Sequence, residues 1–354
     1  MEIAELLKMT VEQGASDLHL AVGRPPVFRI DGRLINADAP PLSSADTRRM
    51  VYGVLTDLQK QKFEEEKELD FSLSISHISR FRVNVHFQRG SVAAAFRAIT
   101  SGIRSFEELN LPARVCERLA RRPSGLSLIT GPTGSGKSTT LAAIIDMIND
   151  ERDCHIITVE DPIEYLHAHK KALIEQREVH EDTYSFSNAL KFVLRQDPDV
   201  IMVGEMRDLE TISAALTAAE TGHLVFSTLH TVDVAQTIDR IIDVFPPHQQ
   251  EQIRVQLAGV IEGILCQTLL PMASGRGRTI SVEILIGTDG IKNLIREGKT
   301  HQIYTQIEAG GGLGMQTMDR AIADLYKRGK ISREVALMHA RKQDELKRHM
   351  QMMV

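Results

Sequence analysis

Residues 131–138 read Gly131, Pro132, Thr133, Gly134, Ser135, Gly136, Lys137 and Ser138. That is the spacing G-x-x-x-x-G-K-[ST] of a phosphate-binding loop. It narrows the possible folds because such a loop works only between a strand and a helix. The flanks comply. Residues 126–130 ahead of it predict a short buried strand. Residues 138–148 behind it predict a helix with an apolar stripe at Leu141, Ile144, Ile145 and Ile148. Glycines let the backbone curl until successive N–H groups face one point. The helix N-terminus adds partial positive charge there. Lys137 would reach the β- and γ-phosphates of ATP, and the Ser138 hydroxyl would ligate Mg²⁺. With Thr139, these nine residues are the candidate nucleotide-binding set.

Three further segments follow the loop in order. Residues 158–164 form an apolar strand ending in Glu160 and Asp161, then Pro162 turns the chain before Glu164. Glu164 falls beyond the strand's carboxyl end, where open α/β sheets place their ligands. It could orient the water that attacks a γ-phosphate, or it could be an ordinary first-turn acid. Residues 199–205 are an apolar strand closed by Glu205, the Walker B form with Glu for Asp, and Glu205 would meet Mg²⁺ through water. Arg195 and Arg207 flank it, and either reaches phosphate or pairs with Asp197 and Asp208. Residues 221–231 hold a core strand bracketed by His223 and His230, with Ser227 and Thr228 near its carboxyl end. His230 is the better functional candidate, because strand ends are where the site lies.

A chain of 354 residues accommodates two domains, each able to bury a core. A formal net charge of -5 and 5% aromatic residues argue against direct binding to nucleic acid. Cys116, Cys154 and Cys266 form no C-x-x-C pair and suit a reducing compartment. The acidic start of the chain carries no signal-peptide pattern. The apolar stretch 255–270 is broken by Gln256, Glu262 and Gln267, so no membrane insertion is expected.

Residues 1–100 predict a small α+β domain. Helices are expected at 2–13, 43–54 and 57–66. Strands are expected at 16–20, 69–75, 80–88 and 92–99, with a hairpin over 27–34 turning at Asp31-Gly32. Arg80, Arg82 and Arg97 stand among apolar strand residues. They either salt-bridge a sheet face or, at Arg82 and Arg97 above all, face a phosphate across a boundary. Residues 101–112 read as a linker, and 113–354 as the second domain. There strands at 126–130, 155–160, 199–205, 224–229 and 279–286 alternate with helices, which argues for a mostly parallel sheet. A helix is expected over 254–270, a flexible loop at 310–314, and a charged, Met-tailed helical end over 331–353 that is solvated or packs on a partner.

The ordered motif set resembles the bacterial type II/IV secretion ATPase superfamily, and within it the type IV pilus retraction motors. The likeness includes the stretches 15–19, 23–26 and 29–32, which look like that family's PAS-like domain. Residues 157–167 look like its Asp box, with Glu164 at the catalytic glutamate's place, 199–208 its Walker B and 221–240 its His box. Residues 290–297 resemble the retraction signature, departing from it at Gly290 and Lys292. Extension ATPases of the superfamily usually carry a long extra N-terminal region and a four-cysteine metal motif, and neither is expected here. The resemblance implies an α/β fold, a RecA-like P-loop domain preceded by a smaller α+β PAS-like domain. It implies a Mg²⁺-dependent ATPase that is cytoplasmic and peripheral at the inner-membrane pilus base. It further implies a homohexamer with Arg82 and Arg97 acting in trans. Its partners would be an inner-membrane platform protein resembling PilC and a PilU-like second motor.

Overall fold

The computed structural model describes residues 2–30, 32–75, 78–99 and 102–351. Asp31 of the expected turn, Ser101 of the expected linker and the terminal Met352 and Met353 lie outside them. The chain divides into two compact units, Met1–Gly102 with Pro162–Leu166, and Ile103–Asp161 with His167–Val354.

The first unit contains α1 (Ile3–Glu12), β1 (Asp17–Leu20), β2 (Val27–Ile30), β3 (Arg33–Asn36), α2 (Ser44–Tyr52), α3 (Asp57–Glu66), β4 (Glu68–Ile75), β5 (Ser79–Gln88) and β6 (Ser91–Ala98). The strands form one antiparallel sheet in the order β3-β2-β1-β6-β5-β4. Its pattern has period two, as a sheet with one covered face requires. Phe81, Val83 and Val85 of β5 are buried with Phe96 of β6, Leu6 and Leu7 of α1, Val51 of α2 and Phe63 of α3. The alternate residues form a polar face. Across four strands, register sets Arg29, Asp17, Arg97 and Arg82 side by side. Serine and threonine caps start two of the helices: Ser43 accepts from Asp46 N and Thr56 from Gln59 N.

The second unit runs α4 (Ala113–Ala120), β7 (Gly125–Thr130), α5 (Lys137–Glu151), β8 (His155–Glu160), β9 (Leu173–Glu178), α6 (Phe186–Val193), β10 (Val200–Val203), α7 (Leu209–Glu220), β11 (Leu224–Leu229), α8 (Val234–Asp243), α9 (Pro247–Val260), β12 (Ile261–Pro271), β13 (Arg278–Ile286), α10 (Asp289–Arg296), α11 (Ile303–Ala309), α12 (Met318–Lys327), α13 (Arg333–Met338) and α14 (Gln343–Gln351). Its sheet has the order β13-β12-β7-β11-β10-β8-β9. Every pairing is parallel except β12 with β13. Strands β7, β10 and β11 are buried along their whole length, which is why they read as apolar runs broken only by small hydroxyl residues. Ile103 onward counts with this unit, and Phe106 and Leu111 of the expected linker lie in its core.

Three segments depart from expectation. The helix foreseen over 254–270 ends at Val260, and Ile261–Pro271 is the strand β12. A continuous apolar run does not by itself distinguish a buried strand from a buried helix. Here it fills the gap between β7 and β13, and at Gly263 a Cβ would lie 2.8 Å from a Leu119 methyl and 3.3 Å from the Leu285 carbonyl oxygen. The glycine run 310–314 forms a tight 3₁₀ turn over Gly310–Leu313, with Gly314 left-handed behind it. The C-terminal helices are not a solvated end: Leu346 of α14 is fully buried in a cluster with Leu270, Met318, Ile322, Ile331 and Ala336.

Candidate active site

Strands β7, β8, β10 and β11 are parallel, so their carboxyl ends open on one edge of the sheet. The glycine loop leaves β7 there. Gly131 has φ of 138°, and a Cβ on it would lie 2.3 Å from the Gln267 carbonyl oxygen and 2.7 Å from Ser135 Oγ. Only glycine fits that approach. Gly136, also left-handed, caps α5, whose first residue is Lys137. The buried Lys137 ammonium donates to the carbonyls of Gly131 at 2.8 Å and Pro132 at 3.1 Å. Ser138 and Thr139 follow in the first turn, both half-buried. Two buried polar atoms at the loop, Ser135 Oγ and Gln267 Oε1, have no hydrogen-bond partner among the described residues. A curled backbone, a helix N-terminus, a lysine and an orphan hydroxyl fit a phosphate chain.

Glu205 lies just past β10. His230 Nε2 approaches its Oε1 at 3.1 Å and Arg207 Nη2 its Oε2 at 2.7 Å. Burial pushes the Glu205 carboxyl up, but the Arg207 hydrogen bond and the charges of His230 and Arg207 together outweigh burial and hold it below the usual carboxylate range. His230 Nδ1 reaches Thr133 Oγ1 of the glycine loop at 3.5 Å. One histidine thus connects the Walker B acid to the phosphate loop. Of the alternatives for Arg207, Glu205 is its partner, and Asp208 instead caps α7 through Thr211 N at 2.8 Å.

Other candidates sit elsewhere. His223 lies at the opposite end of β11, where its Nδ1 pairs with the Ala218 carbonyl at 2.9 Å and closes α7. Ser227 and Thr228 donate to the carbonyls of Val203 and Gly204, bracing β11 to β10. Glu164 is exposed on Pro162–Leu166, the segment that counts with the first unit. Arg82 and Arg97 are exposed and directly paired across β5 and β6, and Arg97 Nε holds Asp17 Oδ1 at 2.9 Å. Burial raises the Asp17 carboxyl, but the Ser16 and Arg97 hydrogen bonds carry it below its ordinary value.

Sequence reading missed Gln267. It is fully buried beside Gly131, and its Nε2 donates to Thr140 Oγ1 of α5 at 2.8 Å. A lone amide inside an apolar run was the available signal. Among the described residues no group of three or more His, Cys, Asp or Glu could hold a metal. Nor is any helix among the described residues long and apolar enough to cross a membrane.

Residues 2–311 match the Type II/IV secretion system protein family. The chain belongs to that family. The Type IV pilus retractation ATPase PilT of Pseudomonas aeruginosa is 51% identical over 336 residues, 95% of this chain and 97% of that protein. The Type IV pilus ATPase PilU of the same organism is 42% identical, over 98% of this chain and 91% of that protein. A crystal structure of the pilus retraction motor PilT with bound ADP is 50% identical, with a TM-score of 0.92, covering 98% of this chain and 99% of that one. The fold of this secretion-system family member is the expected one, a RecA-like P-loop unit preceded by a smaller, sheet-rich α+β unit.

Proposed function

We propose that this chain is an ATP-hydrolysing motor that powers type IV pilus retraction and hence twitching motility. The observation that carries the reading is whole-length likeness to the PilT motor, joined to a glycine loop whose local geometry suits a triphosphate. Gly131 to Thr139 hold the phosphates. Ser138 and Glu205 would hold Mg²⁺, which would supply charge neutralisation when bound. Glu164 orients the attacking water. Lys137, Arg82 and Arg97 stabilise charge on the transferring phosphoryl group. His230, in contact with both Glu205 and Thr133, reports phosphate occupancy to the Walker B strand.

Six copies in a ring, with arginines of one subunit serving nucleotide on the next, fit exposed arginines that already share a face. Differential affinity of open and closed interfaces for ATP and ADP would then drive motion. The motor works in the cytoplasm at the inner-membrane pilus base, on a platform protein resembling PilC and alongside a PilU-like second motor. Glu164→Gln is expected to bind ATP as the parent does while steady-state phosphate release falls by about a hundredfold or more. Equal turnover in variant and parent refutes the role of Glu164. A strain lacking the chain keeps surface pili yet does not twitch, and bald cells would point to extension instead.

A further inference from the structure

The loop between β11 and α8 carries His230, and it is held by Glu283 and by Arg341, the latter outside the matched family region, which ends at 311. Glu283 of β13, only 2% exposed, accepts from Val234 N at 2.9 Å, Met318 N at 3.4 Å and Arg341 Nη1 at 2.5 Å. The first two donors open α8 and α12. The second terminal nitrogen of Arg341 donates to the Val232 carbonyl, two residues past His230. Cys266 Sγ lies 2.8 Å from the same oxygen. The Arg341 main chain is fixed in turn, since the N–H groups of Arg341 and Lys342 donate to Asp319 at 2.8 and 2.9 Å.

We propose that Arg341 is a positioning residue for the nucleotide site, holding the 231–234 loop so that His230 stays between Glu205 and Thr133. This rests on the ATPase reading above. The C-terminal helices do not need Arg341 to stay attached, because Leu270, Met318, Ile322 and Leu346 bury their own apolar cluster. Its guanidinium is directed at the loop instead. Its planar fork satisfies a buried carboxylate and a main-chain carbonyl at once, and lysine's single ammonium does not. Without it, the Glu283 charge is left buried and short of a donor, and the Val232 carbonyl keeps only the weak Cys266 thiol donor. Small displacements of positioned groups cost large factors in rate.

Three variants of the assembled full chain test this: Arg341→Ala, Arg341→Lys and, as a control for C-terminal packing, Leu346→Ala. ATPase kcat and KM, Tm and amide hydrogen exchange across 231–234 are measured for each. Both Arg341 variants are expected to lose about tenfold in kcat with KM for ATP within about twofold, and their loop amides to exchange at least about tenfold faster. Leu346→Ala lowers Tm and keeps kcat within about twofold. Loop exchange in Arg341→Lys equal to that of the parent overturns the proposal, and so does a Leu346→Ala chain that loses kcat equally. Should Arg341→Ala fail to fold, the exchange rates of Arg341→Lys decide between these outcomes. The exchange readout does not depend on turnover, so an inactive parent would sink the ATPase reading and leave the loop result standing.

Discussion

Glu205 is a carboxylate pulled two ways. Burial favours its neutral form, and Arg207 with His230 favours the charged one. Arg207→Ala deletes a 2.7 Å charge-assisted hydrogen bond and leaves burial opposed by His230 alone. The Glu205 pKa therefore rises, and the acid limb of the kcat/KM profile moves to higher pH. A profile that stays put would show that Glu205 ionisation does not limit the reaction. The glycines of the loop were readable because each answers to a backbone demand, Gly131 to a blocked Cβ and Gly134 and Gly136 to a left-handed φ. The place of His230 just past the end of β11 was readable. Its contact with Glu205 was not, since two strands bring together residues that are distant in sequence.

Among the elements, β12 is the one that sequence reading turned into a helix, and it is the strand that shapes the underside of the phosphate loop. Its Gly263 faces Leu119 of α4, where a side chain would collide. Gly263→Val is expected to lower Tm through overpacking worth about 1–3 kcal/mol. A calorimetric scan matching the parent would mean that α4 yields freely there. The edge strand β9 was also unread. Its residues alternate polar and apolar only loosely, and it joins the sheet through β8, reached by parallel pairing across an intervening loop. Local periodicity carries no trace of such a partner. Buried β7, β10 and β11 declared themselves, because double-sided burial leaves an apolar run bounded by turns.

For the whole molecule, the displaced histidine and carboxylate titrations point one way. Burial takes the His167 imidazole from the ordinary 6.5 to about 4, with Asp146 resisting weakly. Burial raises the Asp17 and Glu345 carboxyls, but their hydrogen bonds, to Ser16 and Arg97 and to Lys342 and Tyr304, hold both below their usual values. In each case the unfolded chain binds more protons than the folded one, so stability falls as pH falls. The loss begins near pH 6.5 with His167 and deepens as the carboxylates titrate. His167→Gln should flatten the decline of Tm between pH 6.5 and about 4, and an unchanged slope there would assign the loss to the carboxylates and to His19, whose burial also lowers its imidazole. The division into a small α+β unit and a larger parallel-sheet unit was legible from strand and helix alternation. The C-terminal packing was not, because a charged helix with few apolar positions hides how deeply Leu346 is seated. That seating bears on where this polypeptide can be cut. A fragment stopping at residue 311 retains all the signature stretches, but it strips the cover from Leu270 and takes the Arg341 guanidinium away from Glu283. Truncation by homology would therefore divide a structure that folding treats as whole.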